Sequence, residues 1–203
     1  MGRPRKFDEE RVVEAASRVF WRKGYEAAST DELCAATGLT RSSLFNAFTS
    51  KEHLFKRALA HYLADRSARQ AAVLDASDGT GASGAERIRR VFALIVEDEA
   101  ANRGGPGEGG PGCFSVNTIT GMAHLDTEIA RLIDADMEKR LSALRLALMD
   151  GRLDGSVASG RDPADLAWYI NAVISGMRIA GQAGADSRTL EAIAATGMDA
   201  LTV

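Results

Sequence analysis

The 203-residue sequence predicts an all-α fold, with three short helices at the N-terminus followed by a larger helical body. Three observations predict it. Apolar residues recur at three- and four-residue spacing along most of the chain, which is the period of a helix with one buried face. Capping and stop residues punctuate these stretches. No segment alternates apolar and polar residues at period two, as a half-buried strand would.

Taken in order, residues 9–23 place Val12, Ala15, Ala16, Val19 and Phe20 on one helical stripe, and Gly24 is the expected stop. Ser29 with Glu32 three residues on has the spacing of a capping box and opens a second helix through Thr37. Gly38 ends it, because glycine takes the left-handed conformation at least cost. A third short helix spans 41–48, and Thr49-Ser50-Lys51-Glu52 opens a long one to about 74. Residues 75–84 form a Gly/Ser/Asp loop, and Ala85–Ala101 returns to helix with Ile88, Val91, Phe92 and Ile95 on one face. The run Gly104 to Gly112 is too rich in glycine and proline for helix and is expected to be a mobile loop. Residues 113–124 and 126–150 read as two more helices. Asp162-Pro163 opens another to about 182, and Ser187 is the expected cap of a last one to about Leu201.

Composition restricts the function. With 45% apolar and 26% charged residues, the chain has ordinary globular composition. It holds no long apolar run for a transmembrane helix, and no apolar stretch follows the basic N-terminus, so a cytoplasmic location is expected. Cys34 and Cys113 match neither a metal-ligand spacing nor a disulfide framework. The net charge of −3 is unevenly placed: residues 1–57 carry eleven Lys and Arg against eight Asp and Glu, and the remainder fourteen against twenty. A basic head on an acidic body is what is expected where only the head meets phosphate. No glycine-rich phosphate loop, nucleophile elbow or metal-binding His pair is present, so the chain is not expected to be an enzyme or to carry a cofactor or metal.

The informative stretch is residues 29–48, two short helices flanking Gly38. Leu33, Ala36, Leu39, Leu44 and Phe48 are placed to lock the pair against the first helix. Thr40, Arg41, Ser42, Ser43 and Asn46 are then left facing outward from the second. Small hydroxyls and an arginine at a helix N-terminus suit insertion into a major groove, where that turn meets base edges and phosphates. Arg3, Arg5 and Lys6 form a basic arm suited to the potential of a narrow minor groove.

These residues carry a resemblance. Residues 7–57 resemble the DNA-binding domain of the TetR family of bacterial repressors, through Ala15-Ala16 to Phe20, Gly24-Tyr25, Ser29-Thr30, Ala35-Ala36-Thr37-Gly38-Leu39, Leu44-Phe45-Asn46-Ala47-Phe48 and Ser50-Lys51-Glu52-His53-Leu54. The match covers about a quarter of the chain. It implies a helix-turn-helix DNA-binding domain over residues 1–52 and a ligand-binding and dimerisation domain over 53–203. By position, Thr30 and Lys51 match phosphate contacts, and Arg41, Ser42 and Ser43 match base-reading positions. Phe45 stands where the family usually has tyrosine, so a hydroxyl contact to phosphate is lost; Thr49 replaces a frequent proline. The implied partners are double-stranded operator DNA, a second copy of the chain and a small-molecule effector.

The body says less. Trp168, Tyr169, Ala172, Val173, Gly176, Ile179 and Ala180 form a helical stripe suited to a dimer interface, and the resemblance implies that the last two helices pack against their copies. Cys113 at a helix start would feel the dipole that favours thiolate, and the preceding loop would leave it accessible, so sensing of oxidants or electrophiles is a secondary expectation. Cys113, Asn117, Met122, Trp168 and Met177 are candidate ligand-pocket residues, with His124 and Met137 as further candidates. The expected function is a homodimeric repressor released from its operator by a small molecule. The alternative is a DNA-binding protein without a ligand that organises the chromosome.

Overall fold

A computed structural model describes residues 8–77, 79–103, 110–122, 126–158 and 160–201. The basic arm (Arg3, Arg5 and Lys6), His124, and residues 104–109 of the glycine-rich run lie outside the described residues. Among the described residues there are nine helices and no strand: α1 Glu9–Ala27, α2 Thr30–Thr37, α3 Arg41–Phe48, α4 Lys51–Leu74, α5 Gly84–Asn102, α6 Phe114–Gly121, α7 Thr127–Leu153, α8 Pro163–Gln182 and α9 Ser187–Asp199.

Local sequence explains most boundaries. Asp8, Ser29, Thr40, Ser50, Ser83, Asp126, Asp162 and Asp186 each cap a helix, their side-chain oxygens accepting from backbone N–H groups that the helix leaves unsatisfied. The capping box of Ser29 and Glu32 is present. Asp186, not Ser187, caps α9: its carboxylate is the stronger acceptor and takes the Thr189 N–H at 2.8 Å. Gly24 does not end α1 but kinks it, with φ 76° and ψ 171°, and a further turn follows through Ala27. Gly38 takes the left-handed conformation expected of it, φ 70°.

Two apolar cores result. The first gathers Val12, Ala16 and Phe20 of α1, Leu33 of α2, Leu44 and Phe48 of α3, and Leu54, Phe55 and Leu59 of α4. Leu39 packs on its edge, whereas Ala36 is exposed, because α2 buries only one residue of its eight. The second core lies among α5, α7, α8 and α9, around Ile88, Phe92, Leu144, Leu148, Ile170 and Ile174.

The first core draws on residues beyond 52. Helix α4 runs through that point without a break, and Cys113, Phe114, Ile129 and Ile133 belong to the first core. Phe114 stands 5.4 Å, centroid to centroid and edge-on, from both Phe55 and Tyr62. The Trp21 indole N–H donates to the Gly112 carbonyl at 2.7 Å. The start of α6 is thus wedged into the head, and a displacement of α6 has a direct mechanical route to α1 and α4.

Candidate nucleic-acid interface

Helix α3 presents its N-terminal turn outward. Thr40, Arg41, Ser42 and Asn46 are exposed, while Leu44 and Phe48 on the opposite face are fully buried. The Thr40 hydroxyl accepts from the Ser43 N–H at 3.3 Å and lies 3.1 Å from the Ser42 hydroxyl and 3.0 Å from that of Ser43. Ser43 is half-buried and engaged in this cluster, so its hydroxyl is less open than that of Ser42. The Arg41 guanidinium lies 6.0 Å from the centroid of the Phe45 ring. Phe45 has no hydroxyl to offer a phosphate, but it gives Arg41 an apolar surface to rest on.

The starts of α2 and α4 flank this helix. Thr30 is the first residue of α2 and is half-buried. Lys51, the first residue of α4, has its ammonium 4.6 Å above the Tyr25 ring and 3.4 Å from the Glu26 carbonyl, which sets the start of α4 against the turn leading into α2. Helix N-termini carry partial positive charge, and Lys51 adds a full one, so this edge suits a phosphate backbone. Asp31, Glu32 and Glu52 are the carboxylates in the first turns of α2 and α4, and Glu32 is tied down. The Lys23 ammonium and the Ser29 backbone and hydroxyl hold its pKa down, from the ordinary 4.5 to about 2, so it stays ionised and tied to its own helix cap.

Thr49, between α3 and α4, has φ 61° and ψ −44°, the one positive φ at a non-glycine among the described residues. Proline, fixed near −65°, does not fit this backbone, so the departure from the family's frequent proline has a conformational counterpart. His53 Nδ1 lies 2.8 Å from the Phe48 carbonyl and 3.2 Å from the Thr49 hydroxyl, bracing the joint.

The family model for bacterial regulatory proteins of the tetR family matches residues 12–58, the stretch that builds this interface. The HTH-type transcriptional repressor ComR of Escherichia coli strain K12 is 30% identical over 195 residues, covering 96% of this chain and 89% of ComR. The chain belongs to the TetR family. As a TetR-family protein it is a DNA-binding transcriptional regulator and not an enzyme. A cysteine mutant of the TetR-family regulator CifR, solved with 26-bp double-strand operator DNA, superposes with a TM-score of 0.80 at 28% identity, covering 98% of this chain and all of that one. The reduced form of E. coli NemR shares the fold, with a TM-score of 0.78 at 18% identity, covering 95% of this chain and 93% of that one.

In the body of this TetR-family chain, the candidate pocket residues do not meet. Cys113 is 5% exposed, not accessible, because Tyr62, Phe114 and Ser115 enclose it. Asn117 is committed to the loop, donating from Nδ2 to the Pro111 carbonyl at 2.9 Å. Met122 and Met137 are half-buried. Met177 lies in the second core, and Trp168 is 56% exposed on α8. What surrounds Cys113 is instead a small polar cavity of about 30 Å³, lined by Tyr62, Arg66, Asp98, Ser115, Arg140 and Arg178 among others. Reading the sequence missed this charged lining, because its members are spread over α4, α5, α6, α7 and α8.

The dimer-stripe residues share one face. Trp168, Tyr169, Ala172, Gly176 and Ile179 are exposed, with Val173 and Ala180 half-buried at its margin. Among the described residues no His, Cys, Asp and Glu group suits a metal, and no helix is long and apolar enough to cross a membrane.

Proposed function

We propose that this chain is a homodimeric transcriptional repressor of the cytoplasm, released from its operator by a small molecule. The head, residues 1–52, reads the DNA through Thr40, Arg41, Ser42, Ser43 and Asn46 in the major groove. Thr30 and Lys51 hold phosphates, Phe45 supports Arg41, and the arm of Arg3, Arg5 and Lys6 lies along the backbone. The body, residues 53–203, dimerises and binds the effector. The observation that carries this reading is the exposed polar turn of α3 flanked by two helix N-termini, in a chain whose relative ComR is a repressor and whose structural neighbour CifR is bound to operator DNA.

The open stripe on α8 supports self-association, since a two-fold dimer sets two recognition helices one DNA turn apart. Ile179 is 53% exposed, so Ile179→Glu leaves the protomer core intact. In sedimentation, this variant is expected to run as a monomer and to lose operator binding together with dimerisation. A dimeric Ile179→Glu protein with full operator affinity would place the interface elsewhere.

A second reading rests on the surroundings of Cys113. Burial pushes its thiol pKa up, but the Arg178 charge, the Ser115 hydroxyl at 3.0 Å and the Val116 amide outweigh it, so the thiol stands below its usual range. A stabilised thiolate at the wedge between α6 and the head would carry an oxidation signal to the DNA-binding helices. Cys113→Ser is expected to abolish release of operator DNA by peroxide; release equal to that of the native chain would end this reading.

A further inference from the structure

Between the head and the body lies an open cleft of about 610 Å³, walled by α1, α4 and α5. Its floor is a knot of charges. The Asp98 carboxylate is buried and holds three guanidiniums: Arg66, Arg69 at 2.8 Å and Arg178 at 3.6 Å. Arg178 also pairs with Glu99 at 3.2 Å. Three cations therefore share two carboxylates. Burial raises the pKa of Glu99, which weakens its share of the counter-charge. Around the rim Glu14 is tied to Arg18 at 2.6 Å and Asp65 is exposed on α4, so the lining carries as many acidic as arginine side chains, and what it offers a ligand is the spare N–H groups of Arg69.

The wall beside this floor has one aromatic stretch, Trp21 and Tyr62, among the polar neighbours Ser17, His61 and Asn102. The Arg66 guanidinium lies 5.9 Å from the Trp21 ring centroid and 5.3 Å from that of Tyr62, beside the two rings, whose centroids are 5.6 Å apart. Ala101 completes the wall on α5. Arg69 is 45% exposed and spends one N–H on Asp98, which leaves the rest of its planar fork toward the open side. An arginine fork pairs best with a planar oxyanion that takes two N–H groups at once.

We infer that this cleft is a binding site for a small aromatic carboxylate, its carboxylate on the spare N–H groups of Arg69, its ring against Trp21. The inference rests on the ligand-release reading for its regulatory meaning. A ligand there touches α1 of the head and α5 of the body at once. Drawing on Arg66 and Arg69, it loosens the Arg66 stack on Trp21, and Trp21 is the residue that ties α1 to Gly112 ahead of α6.

Benzoate is the probe, with benzamide as its neutral counterpart, at constant ionic strength. The chain has two tryptophans, so Trp168→Phe leaves Trp21 as the single reporter in the cleft. Benzoate is expected to give a saturable change in Trp21 fluorescence and benzamide none. Arg69→Gln, a half-exposed position, is expected to weaken benzoate about tenfold with the melting midpoint retained. Equal responses to benzoate and benzamide, no saturation, or an unaltered affinity in Arg69→Gln overturn the site. Operator affinity is read separately by anisotropy and is expected to fall as benzoate saturates Trp21. Saturation without that fall leaves the anion site standing and rejects the ligand-release reading.

Discussion

Arg41→Ala is expected to cost about 1–3 kcal/mol of specific binding per recognition helix, roughly ten- to a hundredfold, with little change on random DNA. Arg41 is exposed at the first turn of α3, beside Thr40 and Ser42, and rests near Phe45 in place of any protein carboxylate. A bidentate arginine on a base edge is worth that much discrimination, whereas a phosphate contact weakens all sequences alike. The two are separated by titrating operator and random DNA with the same variant. A uniform loss would make Arg41 a backbone contact and move base reading to Ser42 and Asn46.

Phe114→Ala has the larger expected effect on stability, about 3–5 kcal/mol, as for other buried aromatics cut to alanine. The ring is 2% exposed and packs edge-on against Phe55 and Tyr62, so its loss opens a cavity where α4, α6 and α7 meet. For a chain of this length the melting midpoint is expected to fall on the order of 10 °C. Because Phe114 sits in the head's core and not in that of the body, Trp21 fluorescence should report the loss directly, and operator binding should weaken at temperatures where the body is still folded. An unchanged midpoint would show that the α6 wedge bears little of the head's stability.

The sequence made the helices legible because their signals are local. Capping oxygens, the glycine after α2 and the 3.6-residue stripe of Val12, Ala16 and Phe20 act within a turn or two of themselves. The outward face of α3 is legible for the same reason, since the helix is short and Leu44 and Phe48 bury its other face. Asp186 was passed over for Ser187 because both suit a cap and only the backbone shows which one precedes the first turn. Cys113 was read as accessible from the glycines before it, whereas Tyr62, 51 residues away in sequence, covers it. The charged floor around Asp98 gave no sequence signal, since Arg66, Asp98 and Arg178 meet only when three helices pack. Trp168 and Met177 face opposite ways, one to solvent and one to the core, because nine residues on one helix turn the side chain through about half a turn.

The central claim is sequence-selective DNA binding by the α3 face. Fluorescence anisotropy tests it most directly, using the DNA that flanks this protein's own gene against random DNA across a salt series. The account predicts tight binding to the flanking DNA, much weaker binding to random DNA, and a log–log salt slope of about −0.9 for each phosphate neutralised. Equal affinity for both DNAs at every salt concentration would contradict it and favour a protein that holds chromosomal DNA without reading it.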